Sequence, residues 1–271
     1  MDVAEHRIRV GDDVDLRCLE WRAASESDPP LLFVAGWITI ADSWSEVMVR
    51  LAETRRVLYL ETREKPSAAI PRRLMRAETF GLDRLGRDIG RVVEHFELDP
   101  KNTVLVGSSL GANAILEALK QGCRCRAAFL IGPNARFDFP LWSRPLIHLP
   151  PVAYRSLVPF MLWYLRNFRL DPQSEPEQYE RYQKTLRAAD YRRLKLSALS
   201  LVGVDIMDGL DRITDPVAVA FAAADRLHGE VNARRLAEAL PRGTALPCAS
   251  NAAMHRPEVI AEIDRYVRMV Q

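Results

Sequence analysis

The pentapeptide Gly107-Ser108-Ser109-Leu110-Gly111 holds the residue types for nucleophilic chemistry at a telling spacing. A serine with glycine two positions away on either side fits a sharp turn from a strand into a helix. The small neighbours let the turn close, and the strained serine holds its hydroxyl clear of the sheet. The helix N-terminus behind it favours negative charge developing on a carbonyl oxygen under attack. The flanks agree with this geometry. Thr103 to Val106 reads as a short buried strand, and Ala112, Ala114, Ile115, Leu116, Ala118 and Leu119 read as an apolar helix. Taken alone, the pentapeptide also suits a glycine-rich turn in another doubly wound fold.

The elements around it must hold that turn in place. Ile8, Val10, Val14, Leu16, Cys18 and Leu19 alternate loosely about a turn at Gly11-Asp12-Asp13, which predicts an antiparallel hairpin at a sheet edge. Leu31 to Trp37, Arg56 to Leu60 and Ala127 to Ile131 are continuous apolar runs, as strands buried on both faces require. Between them, Ser43 to Glu53 and Thr79 to Leu98 carry helical periodicity. Strands alternating with helices predict an α/β fold, a mostly parallel sheet flanked by helices.

From Arg136 to Leu210 the pattern changes. Aromatic residues crowd the stretch, strand-like runs vanish, and charged helices are expected from about Glu175 to Ala189 and from Tyr191 to Val202. We read residues 136–205 as a helical lid inserted into a core formed by residues 1–135 and 206–271. Such lids usually line a pocket. The alternatives are a plain helical layer and an apolar surface that touches a membrane. The α/β pattern resumes with a strand in Asp215 to Asp225, a helix from Glu230 to Ala239, a strand at Thr244 to Pro247 and a helix from Pro257 to Val270.

At this point three landmarks, in order, resemble the α/β-hydrolase family. Phe33-Val34-Ala35-Gly36-Trp37 is similar to the family's oxyanion strand. Gly107 to Gly111 is similar to its nucleophile elbow. The run through Ala223-Ala224-Asp225 is similar to the strand whose end carries the acid. The resemblance implies a serine hydrolase with Ser109 as nucleophile, the N–H groups of Leu110 and Trp37 as oxyanion donors, and Asp225 as the acid that orients a histidine. It implies a small or medium apolar ester or acyl compound as substrate.

The histidine departs from the pattern. Leu246-Pro247-Cys248-Ala249-Ser250-Asn251 aligns with a segment that usually ends in histidine, so Asn251 occupies that position. An amide cannot take the proton from Ser109. His255, four residues on, is the first candidate to complete the site; His148 in the lid and His228 beyond Asp225 follow it. A solvated His255 capping the last helix is the plainer reading. Two further departures accompany this one. Ala35 replaces the usual histidine before Gly36. Glu61-Thr62-Arg63-Glu64-Lys65-Pro66-Ser67 stands where the family commonly has D-x-R-G-x-G-x-S, without its glycines. They leave open a non-hydrolytic enzyme (a cyclase, lyase or isomerase) and a ligand-binding protein with a decayed site.

Composition excludes other classes. The chain has 271 residues, a formal charge of +2 and 27% charged residues, which gives no footprint for nucleic acid. The four cysteines lack zinc-site spacing, and no organic cofactor or metal is expected. With no signal peptide and no apolar run of membrane-spanning length, a cytoplasmic location is expected.

Overall fold

The computed structural model describes residues 2–137, 147–164, 166–167, 176–222 and 230–270. Eight strands form one sheet in the order β1-β2-β4-β3-β5-β6-β7-β8. They are β1 (Val3–Gly11), β2 (Val14–Trp21), β3 (Leu31–Val34), β4 (Val57–Leu60), β5 (Val104–Ser108), β6 (Ala127–Ile131), β7 (Val217–Ala222) and β8 (Gly243–Cys248). The first two make the expected hairpin, and β2 pairs antiparallel with β4. Asp12 and Asp13 take left-handed φ values of 51° and 61°, the conformation that a two-residue hairpin loop demands. All pairings from β4 through β8 are parallel.

Both faces of this sheet are covered, which is why its central strands are buried at every residue and almost wholly apolar. On one face lie α1 (Ser45–Leu51), the 3-10 turn Ala41–Trp44 before it and α8 (Glu258–Met269), packing Trp44, Met48, Ile263 and Tyr266 against Phe33, Tyr59 and Phe129. On the other lie α2 (Leu82–His95), α3 (Leu110–Lys120) and α7 (Glu230–Ala239), packing Leu85, Ile89, Ile115 and Leu236 against Leu32, Leu58 and Leu105.

Several boundaries differ from the sequence reading. β3 stops at Val34, short of the expected Trp37, because Val34 is the last residue paired with both neighbours, Leu60 and Gly107. Beyond it the chain turns, with Thr39 N–H donating to Gly36 C=O at 3.1 Å. β5 runs on to Ser108, past the expected Val106, because Ser108 still pairs with Ile131. The second helix is shorter than Thr79 to Leu98. It is preceded by a 3-10 turn at Ala77–Phe80, and Glu97 at φ 50° closes its end.

A helical insertion follows β6. Its two ends zip together at the base: Arg136 pairs with Asp205, and Phe137 N–H donates to Val204 C=O at 3.0 Å. It contains α4 (Pro151–Tyr164), α5 (Pro176–Ala188) and α6 (Tyr191–Leu201). Asp190 caps α6 by accepting from the N–H groups of Arg192 and Arg193 at 3.0 and 3.1 Å. α4 buries Tyr154, Val158 and Leu162, one stripe at helical spacing, against Leu186, Leu194 and Ile38. Among the described residues no helix is long and apolar enough to cross a membrane.

Candidate active site

The parallel strands β3, β5, β6, β7 and β8 all end at the same edge of the sheet, and the chain leaves each of them there. Such an edge is where open α/β sheets gather their ligand-binding loops. Ser109 lies there, directly after β5 and directly before α3.

Ser109 has φ 50° and ψ −113°, a conformation that costs a non-glycine residue on the order of 1–3 kcal/mol. The surroundings hold it. Its N–H donates to Ile131 C=O at 2.8 Å, and its C=O accepts from Asn113 N–H at 3.1 Å. Asn113, fully buried, locks the first turn of α3 to the loop after β6. Its Nδ2 donates to Asn134 C=O at 2.6 Å, and its Oδ1 accepts from Asn134 N–H at 3.0 Å. The two glycines are required sterically. A Cβ on Gly107 would lie 2.7 Å from the nitrogen of Ala112, and one on Gly111 only 2.1 Å from the carbonyl oxygen of Val34. Gly111 therefore lets α3 rest on the end of β3. Leu110 is the first residue of α3, whose N-terminal N–H groups have no carbonyl within the helix to serve.

The loop after β3 carries Gly36, Trp37 and Ile38. Ile38, a β-branched residue, is held at φ 52°. Side chains from the loop after β4 hold it from beneath. Lys65 Nζ donates to Gly36 C=O at 2.6 Å and to Thr62 Oγ1 at 3.0 Å, and is paired with Glu64. Glu64 Oε1 accepts from Ile38 N–H at 3.2 Å and from Thr62 Oγ1 at 2.8 Å. Glu64 and Lys65 are 1% and 2% exposed. The insertion grips the same loop from above: Trp37 Nε1 donates to Ser197 Oγ of α6 at 2.9 Å, and Arg193 of α6 donates to the carbonyl of Lys65.

The family model described as "Alpha/beta hydrolase family" matches residues 31–263, most of the chain. The chain belongs to the alpha/beta hydrolase family. No curated protein matches it in sequence. Solved structures match its fold along nearly the whole length. A thermophilic esterase from Thermogutta terrifontis superposes with a TM-score of 0.79 at 19% identity, covering 98% of this chain and 99% of that one. The esterase EaEST from Exiguobacterium antarcticum gives 0.76 at 16% identity, covering 98% and 100%. A bromoperoxidase from Bacillus anthracis gives 0.74 at 14%, covering 97% and 100%. At these identities the likeness is one of fold.

Within this alpha/beta hydrolase frame the expected site residues fare differently. Asp225 and His228 lie outside the described residues. Asn251 is 8% exposed in the loop after β8. Its Oδ1 is buried and has no hydrogen-bond partner among the described residues. Its backbone carbonyl lies 2.8 Å from His255 Nδ1. A carbonyl only accepts, so Nδ1 carries a proton. The His255 ring rests on Trp44 with centroids 5.0 Å apart, and Trp44 rests on Phe33 of β3 at 4.6 Å. His255 thus belongs to a packed aromatic row and is not merely a solvated helix cap. His148 is exposed on the turn before α4, where its carbonyl accepts from Lys195 Nζ at 3.1 Å. His6 and His95 both pack edge-on against Phe96, away from the strand ends.

Three residues at this edge were not singled out by sequence reasoning: Glu64, Lys65 and Asp88. Asp88 interrupts the apolar stripe of α2 and forks with Arg63 at 2.6 and 2.7 Å. Burial pushes its carboxyl up to about 6 against the pull of that guanidinium. The available signal was the loss of the loop glycines, whose positions hold Glu64 and Pro66. The insertion also carries an open cleft of about 760 Å³ lined by Val158, Leu162, Tyr179 and Tyr191, with Arg155 and Arg187 beside them. None of these residues comes from the strand-end loops.

Proposed function

We propose that the chain is a serine hydrolase of small or medium apolar esters or related acyl compounds. The observation that carries this reading is the strained backbone of Ser109 at the β5–α3 turn, held by hydrogen bonds on both sides of the residue. Strain retained at one exposed-edge serine is characteristic of a group kept for chemistry. In this reading the Ser109 hydroxyl attacks the substrate carbonyl and gives its proton to His255. The carbonyl oxygen gains negative charge between the N–H groups of Leu110 and Trp37. The leaving alcohol departs with the proton from His255, and water then releases the acid by the same route. Asp225 stabilises the imidazolium. Residues 136–205 serve as the lid on a core of residues 1–135 and 206–271, and the ligand is a small apolar acyl compound.

Asn251 favours a second reading. Its buried Oδ1, without a partner among the described residues, is an acceptor that a bound hydroxyl or amide would satisfy. That would suit a cyclase, lyase or isomerase of an apolar metabolite, or a pure binding protein. Hydrolysis of p-nitrophenyl butyrate separates the two. The parent is expected to release nitrophenolate and butyrate with multiple turnovers, and Ser109→Ala to fall to background. Equal rates in the parent and Ser109→Ala would refute the hydrolase and leave the second reading.

A further inference from the structure

We propose that Lys65 and Glu64 are positioning residues that aim the backbone N–H of Trp37. This rests on the hydrolytic reading of the site, but its geometry stands apart from it. Lys65 Nζ holds the carbonyl of Gly36 at 2.6 Å. That carbonyl and the N–H of Trp37 belong to one peptide plane. In a trans peptide the two groups point in opposite directions, and the described residues include no cis peptide. Gripping the oxygen therefore turns the Trp37 N–H to the side away from Lys65. The next peptide is held in the same way. Glu64 Oε1 accepts from Ile38 N–H at 3.2 Å, so the carbonyl of Trp37 also faces away from the pair. Thr62 Oγ1 ties the two charged groups together from 2.8 and 3.0 Å.

Two observations say this clamp does more than fill space. Ile38 stays at φ 52°, a conformation a β-branched residue abandons unless it is held. And the pair is buried to 1% and 2% exposure, where its attraction is little screened and a loop could have been closed by glycines alone. An ammonium on the oxygen also draws electron density along the peptide. That leaves the Trp37 N–H a stronger donor for a developing oxyanion. No proton moves in this arrangement; the pair acts only through the peptide it orients.

The test uses Lys65→Met and the neutral double variant Glu64→Gln/Lys65→Met, which leaves no lone buried charge. For p-nitrophenyl butyrate the double variant is expected to lose about 100-fold in kcat, as removal of one oxyanion donor does, with KM little changed. Its crystal structure is expected to have the Gly36 carbonyl rotated from its parental direction. A peptide that keeps its direction overturns the proposal whatever the rate, and so does a rotated peptide at parental kcat. If the parent itself shows no turnover that depends on Ser109, the hydrolase reading fails, and the direction of the peptide in the double variant alone decides the clamp.

Discussion

Glu20 and Glu64 are both buried carboxylates, and both are held by several donors at once. Glu20 on β2 accepts from Arg56 at 2.7 Å and meets His6 at 2.8 Å and Arg22 at 2.8 Å. Burial raises its pKa, but the hydrogen bond and charge of Arg56, helped by His6 and Arg22, outweigh it and leave the carboxyl below its ordinary value. The folded chain therefore holds this proton less tightly than the unfolded chain. The resulting stability is full above the ordinary glutamate range and is lost as pH falls through the folded value. Glu20→Gln is expected to cost about 1–3 kcal/mol at pH 7, and this difference from the parent should shrink on acidification. Urea unfolding of both proteins at several pH values checks it; a difference that grows toward acid would contradict it. Residues of this kind divide by how they could be read. Ser109 was legible because its constraint is local, written in glycines two positions away. Glu64, Lys65 and Asp88 were not, because their burial depends on β3, α2 and α6 closing over them. A polar loop and a buried charged clamp have the same local sequence.

At the scale of elements, the elbow depends on α3 resting against β3. Gly111 is the contact, since a Cβ there would sit 2.1 Å from the Val34 carbonyl oxygen and 2.7 Å from that of Ala35. Backbone cannot retreat as a flexible side chain can. Gly111→Ala is expected to destabilise the fold by about 1–3 kcal/mol and to displace Ser109. Gly90, inside α2, has nothing within 4 Å of its would-be Cβ. There the same change should stabilise by about 0.5–1 kcal/mol, through helix propensity and a less free unfolded chain. Denaturant midpoints should move in opposite directions; a neutral Gly111→Ala would contradict the close approach. Element types were legible almost throughout, because strands covered on both faces are almost continuously apolar and surface helices repeat every three to four. Ends were less so. β3 stops where its neighbours stop pairing, a limit written in β4 and β5 and not in β3 itself.

The whole molecule brings distant segments to one edge. The turn after β5, the loop after β3, the charged loop after β4 and the loop after β8 come from separate parts of the chain. Parallel pairing puts the exits of all these strands side by side. The insertion then reaches down onto one of them through Ser197 and Trp37. The family's pattern made this convergence legible in outline. What the sequence could not indicate is that His255 packs on Trp44 with its Nδ1 committed to the Asn251 carbonyl. That contact depends on how the loop after β8 folds back over the turn before α1. The account therefore stands on Ser109 being a nucleophile served by His255. The direct measurement is covalent labelling by a fluorophosphonate, mapped by peptide mass spectrometry, in the parent, Ser109→Ala and His255→Ala. The account predicts rapid modification of Ser109 in the parent, none in Ser109→Ala and labelling at least about 100-fold slower in His255→Ala. An inert parent, or a parent whose labelling is untouched by loss of His255, would contradict it.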